Sequence, residues 1–114
     1  MLKIFKYSLP GSLLLFLFVL GMAGMAAGDD VATGKSLYEA KCQICHGANG
    51  RGDGPAANAL NPKPRNFTDP TFWQKDTDAL IKRTVTTGKG MMPAFNLSDD
   101  EIKAITDYMN QAFK

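Results

Sequence analysis

The chain has 114 residues, a formal charge of +2 and 45% apolar residues, with two cysteines and one histidine, which fits one small domain. Lys3 and Lys6 carry the whole positive excess, and over residues 29–114 the cations equal the 11 acids. That balance excludes a basic nucleic-acid-binding domain as the default reading, since phosphate binding needs a clustered positive surplus. A domain of that size is also marginal with a single apolar core unless a metal, disulfide or cofactor assists.

Residues 1–28 read as a secretory signal peptide. Lys3 and Lys6 precede an unbroken apolar run from Leu13 to Leu20, and small residues cluster at Gly24, Ala26, Ala27 and Gly28 before Asp29-Asp30. Charged, apolar and small segments in that order are what export requires. The alternative is an uncleaved membrane anchor, although the run from Leu13 to Ala27 is shorter than the ~20 apolar residues a helical span needs. Either outcome places residues 29–114 outside the cytoplasm, and for a bacterial chain in the periplasm.

An amphipathic helix is expected from about Val31 to Cys45, with Gly34, Leu37, Tyr38 and Lys41 at helical spacing. From Gly47 to about Lys75 the glycines, prolines and the Pro62-x-Pro64 pair favour turns and extended backbone. A second helix is expected over Thr77–Thr87, capped by Thr77, lined by Leu80, Ile81, Thr84 and Val85, and ended by Gly88. The last helix has the strongest start signal. Ser98 and Glu101 form a capping box, Leu97 and Ile102 a hydrophobic staple, and the apolar face continues through Ile105, Tyr108, Met109 and Ala112. No strand, repeat or charge block is expected. A turn-rich segment this long is uncommon in so small a domain unless a ligand organises it.

The cysteines indicate which ligand. Cys42-Gln43-Ile44-Cys45-His46 is the Cys-x-x-Cys-His pattern of covalent haem c attachment. Two intervening residues let both thiols reach two vinyl groups on one porphyrin edge, and His46 follows as the axial imidazole. A closed zinc site would need four ligands, and only three candidates exist. A thioredoxin-like pair would sit near a βαβ pattern, which is absent. A disulfide between these cysteines would close a loop too short to constrain the unfolded chain. With His46 the only histidine, the sixth iron position falls to methionine, lysine, water or nothing. The loop Gly88-Lys89-Gly90-Met91-Met92-Pro93 offers two thioethers, and a soft sulfur ligand favours ferrous iron.

On these motifs the chain resembles the class I monohaem cytochromes c of the exported bacterial kind over residues 31–113. The resemblance rests on Cys42 through Gly47, Gly50, Gly52, Gly54 and Pro55, and on Met92-Pro93. It implies an all-α fold, the small cytochrome c fold, with three or more short helices and long loops wrapped around one covalent haem. It implies Met92 rather than Met91 as the sixth ligand, with metal ligands His46 and Met92. Pro55 matches the proline whose carbonyl accepts the histidine Nδ1–H. Gly34-x-x-x-Tyr38 matches the crossing of the first and last helices, with Ile105 and Tyr108 as partners. Arg65 and Trp73 are candidate donors to a haem propionate; the plainer readings are a solvated charge for Arg65 and an apolar pocket wall for Trp73. Phe67, Phe72, Leu80, Ile81, Val85, Phe95 and Leu97 are assigned to pocket lining.

The implied function is single-electron transfer by Fe(III)/Fe(II) cycling, with no catalytic residue and no enzymatic activity of its own. The expected partners are transient redox proteins, met through a small interface, and no nucleic acid. Membrane contact is expected only if residues 1–28 are retained. The chain would act as a monomer or as a subunit of a redox complex. The alternatives are a haem c module of a larger oxidoreductase and, less favoured, a five-coordinate peroxidase or gas-binding protein. The last two lack a distal histidine for acid–base work.

Overall fold

In the computed structural model, which describes residues 26–114, the elements in chain order are α1 (Ala26–Lys41), α2 (Gln43–His46), a 3₁₀ turn (Ala57–Ala59), a second 3₁₀ turn (Pro70–Phe72), α3 (Thr77–Thr87) and α4 (Asp99–Phe113). The described residues contain no strand, only an isolated bridge between Lys89 and Met92. The architecture is all-α, as expected. The expected export signal lies outside the described residues except for Ala26–Gly28, which form the start of α1.

The expected helix over Val31–Cys45 is two helices. Cys42 interrupts it with φ −114° and ψ −35°, although its N–H still donates to the Tyr38 carbonyl at 2.8 Å. The short α2, with Cys42 as its N-cap, carries Cys45 and His46. Helix α3 has the expected bounds, but its cap differs. Asp76 is the N-cap and makes no side-chain cap bond. The Thr77 hydroxyl instead accepts from the Gln74 N–H and donates to the Phe72 carbonyl, both at 2.7 Å, fastening the preceding turn. Gly88 ends the helix by donating to the Thr84 carbonyl.

Helix α4 starts as the capping box requires. The Glu101 N–H donates to Ser98 Oγ at 3.2 Å, and the Ser98 N–H donates to Glu101 Oε2 at 2.8 Å, satisfying two orphan amides. Three acids in its first turn face the positive end of the helix dipole. Its buried face carries Ile102, Ile105, Met109 and Phe113. Ala112 is exposed, and Phe113 supplies the apolar contact assigned to it.

Helices α1 and α4 pack closely, and a glycine makes this possible. A Cβ at Gly34 would fall inside the contact radius of the Ala104 carbonyl oxygen, so no other residue permits that approach. One turn later Tyr38 is fully buried, with its ring 5.5 Å from Tyr108 and 5.2 Å from Phe113. Its hydroxyl donates to the Gly47 carbonyl at 2.7 Å. The core extends from there through Phe67, Phe72, Ile81, Val85, Ile102, Ile105 and Met109.

Two outcomes follow. Gly34→Ala forces the helices apart and should lower stability by about 1–3 kcal/mol, read as a lower denaturation midpoint. Tyr38 should also make stability fall in alkali. Burial first, and then the nearby Cys42, Tyr108 and Asp53, push its phenol well above the usual tyrosine range. Above about pH 10 the unfolded chain releases this proton while the folded chain keeps it. The contribution is therefore full below that pH and is lost as pH rises toward the folded value. Urea midpoints measured across that range should fall less steeply in Tyr38→Phe than in the parent.

Candidate cofactor site

The site is built on α2. The His46 N–H and the Cys45 N–H both donate to the Cys42 carbonyl, at 2.9 and 3.2 Å, so one tight helical turn presents both thiols and the imidazole from adjacent positions. Cys42 and Cys45 are not joined in a disulfide, and both are half-buried. Burial pushes the Cys42 thiol up to about 11, against the lowering effect of Lys41.

The loop after α2 folds back beneath it. Gly52 N–H donates to the His46 carbonyl at 2.8 Å, Gly54 N–H to the Cys45 carbonyl at 3.1 Å, and Ala56 N–H to the Ile44 carbonyl at 2.9 Å. Gly52 has φ +75°, and a Cβ there would overlap the Pro64 carbonyl, so its conformation and its surroundings both demand glycine. That contact brings residues 64–67 under the histidine.

His46 Nδ1 lies 3.1 Å from the Arg65 carbonyl oxygen. A carbonyl only accepts, so Nδ1 carries the proton and Nε2 keeps the lone pair. Burial lowers the tendency of this ring to protonate, and the bond to Arg65 opposes that in part. A neutral imidazole with its donor nitrogen fixed is the species a haem iron binds. The acceptor expected from the resemblance, the Pro55 carbonyl, is not the one the ring meets. Pro55 is exposed, in a stretch tied to Ile44 and Cys45 by the amides on either side of it, whereas Gly52 draws the 64–65 backbone to Nδ1.

The candidate propionate donors are also committed elsewhere. Trp73 Nε1 donates to the Phe67 carbonyl at 2.8 Å, and its half-buried ring packs on the core. The Arg65 guanidinium donates to Thr71 Oγ1 at 3.3 Å, pairs with Asp69 at 3.6 Å and lies 5.5 Å from the Phe72 ring centre. Bonds from Thr71 hold the Asp69 carboxyl below its usual range, with Arg65 assisting. These groups close the 65–72 loop on itself.

In the loop between α3 and α4, Lys89 and Met92 exchange backbone hydrogen bonds, both at 3.0 Å, in a turn with Gly90 and Met91 at its tip. Met91 is 60% exposed, while Met92 packs against the core. The Phe95 N–H donates to the Val85 carbonyl at 2.8 Å and returns the loop to α3. Leu37, Cys42, Trp73, Met92, Phe95, Leu97 and Tyr108 are all half-buried against the core. Of the expected lining, Phe67, Phe72, Ile81 and Val85 are buried in the core itself, and Leu80 is exposed on α3. Sequence reasoning missed the Arg65 carbonyl as the partner of His46 Nδ1 and the stacking of the Phe67 ring on the His46 ring. A backbone acceptor leaves no signature in residue type, and a buried phenylalanine reads as generic core.

A small helical fold that carries a Cys-x-x-Cys-His turn, a methionine packed on the core and several half-buried apolar side chains fits a c-type cytochrome domain. The family model described as cytochrome c oxidase, cbb3-type, subunit III matches residues 29–109. Cytochrome c6 of Leptolyngbya boryana is 38% identical over 82 residues, 70% of this chain and 89% of that protein. Cytochrome c6 of Synechocystis is 35% identical over 102 residues, 86% of this chain and 78% of that protein. The cbb3-type cytochrome c oxidase subunit FixP of Azorhizobium caulinodans is 35% identical over 98 residues, 82% of this chain, but the chain spans only 31% of that subunit. The chain therefore belongs to the cytochrome c family that the model describes, a family of electron-transfer proteins with covalently bound haem c.

If the Arg65 side chain tethers a loop rather than holding the cofactor, Arg65→Gln should leave the reduction potential near that of the parent. Its exposed pairing predicts a stability loss of no more than about 1 kcal/mol. Redox titration and thermal melting of the variant measure the two effects.

Proposed function

We propose that the protein is an exported single-electron carrier, with haem c held by Cys42 and Cys45 and ligated axially by His46 and Met92. The observation that carries this reading is the 89–92 turn, which directs Met92 toward the core and Met91 to solvent. The commitment of His46 Nδ1 to a carbonyl leaves Nε2 as the donor on the opposite side. When bound, haem c supplies one-electron Fe(III)/Fe(II) chemistry. Cys42 and Cys45 tether the group, and His46 and Met92 leave no open position for a substrate. The rigid α1–α4 frame limits structural change between oxidation states.

The chain aligns with nearly the full length of a cytochrome c6, which supports a free carrier with transient redox partners. Its match to about a third of FixP supports a second reading, in which the same domain serves inside an oxidase complex. No helix among the described residues is long and apolar enough to cross a membrane. The intact mass of exported protein separates the readings: a carrier loses the leading segment and gains one haem. A mass equal to the bare polypeptide would overturn both.

Met92→Ala should abolish the sulfur-to-iron charge-transfer band and lower the reduction potential, because a soft ligand that favours ferrous iron is lost. Met91→Ala should keep the band. The opposite pattern would move the ligand to Met91.

A further inference from the structure

We propose that Phe67 is a positioning residue for the axial imidazole: its ring fixes the plane of His46, and its pinned backbone keeps the Arg65 carbonyl within reach of Nδ1. The proposal rests on His46 as an axial ligand.

The Phe67 ring stacks on the His46 ring at 4.5 Å between centres and 19° between planes. Phe113 lies 6.3 Å from the Phe67 ring at 18°, and Phe72 braces it at 5.0 Å and 49°. Three nearly parallel rings thus run from the end of α4 to the imidazole. The Phe67 backbone is held at both polar atoms. Its N–H donates to the Gly50 carbonyl at 2.6 Å, and its carbonyl accepts from Trp73 Nε1 at 2.8 Å. Phe67 is 7% exposed, so its ring has little room to tilt.

A histidine ring needs such support because its second side-chain torsion is broad and roughly two-fold. One hydrogen bond at Nδ1 limits where that atom sits and leaves the plane free to rock about it. A flat aromatic face removes that freedom. Arg65 is two residues before Phe67, so pinning Phe67 between Gly50 and Trp73 also places the Arg65 carbonyl. The strength of the Nδ1–H bond sets the donor strength of the imidazole toward iron. A residue that holds both the plane and the bond therefore acts on the ferric and ferrous states unequally, which ordinary core packing does not.

The test uses the holoprotein, with ferric electron paramagnetic resonance for the ligand plane and redox titration for the bond. Phe67→Leu should shift the ferric g-values and raise the potential, since a loosened Nδ1 bond weakens the donor that favours ferric iron. Phe67→Tyr keeps the ring and should restore both. Trp73→Phe removes one pin, keeps an aromatic wall and should raise the potential with a smaller change in g-values. A Phe67→Leu protein that melts lower but keeps parental g-values and potential would overturn the proposal. If that variant does not fold, an unchanged potential in Trp73→Phe overturns it. Nitrogen hyperfine coupling from His46 in the parent is the control, and its absence would count against axial ligation by His46 rather than against Phe67.

Discussion

The close approach of α1 to α4 at Gly34 is the constraint on which the rest of the site depends. With the Ala104 backbone seated where a side chain would be, Tyr38 falls between Tyr108 and Phe113. Its hydroxyl is then placed to hold the Gly47 carbonyl. That bond anchors the start of the glycine-rich loop, whose later residues take hold of Pro64, Phe67 and, through them, Arg65. A contact between two helices thereby decides which carbonyl faces a histidine, without touching the histidine. Each link is short and mostly backbone, so an error at the crossing passes along it with little loss.

The core accounts for why a chain this small needs its cofactor. Fully buried apolar residues form one cluster between α1, α3, α4 and the 67–72 segment, and a second group is only half-buried around it. Half-burial of large side chains wastes apolar surface unless something covers them. Leu37, Trp73 and the group Met92, Phe95 and Leu97 come from three separate stretches of chain: the first helix, the segment before α3 and the loop between α3 and α4. A flat apolar group tethered at Cys42 and Cys45 is what such a rim is shaped to cover.

Much of this was legible in the sequence wherever the signal is local. The capping box of Ser98 and Glu101 and the limits of α3 depend on residues within one turn of each other. The haem-attachment pattern and the glycine at the crossing are nearly as local. What could not be read depends on distant backbone atoms. Nothing in the residue types shows that the 64–65 backbone, and not Pro55, comes to His46, because that follows from where Gly52 meets Pro64. Arg65 and Trp73 were credible donors to a carboxylate by chemistry alone. Asp69, Thr71 and the Phe67 carbonyl reach them first, and their local geometry needed the folded loop to become visible. Thr77 failed as a helix cap for the same reason: its hydroxyl had a better partner in the Phe72 carbonyl.

Arg65 illustrates how one residue divides its work. Its carbonyl holds the His46 ring at Nδ1, while its guanidinium belongs to the loop surface. The surface contacts are exposed and worth little individually, so they cannot be what holds the carbonyl in place. The load falls on groups removed from water: the Phe67 and Phe72 rings, the bond from the Phe67 N–H to Gly50, and the indole bond from Trp73. Those interactions persist as the surface exchanges partners with solvent. An imidazole whose orientation must stay constant is better set by a buried clamp than by a salt-sensitive surface pair.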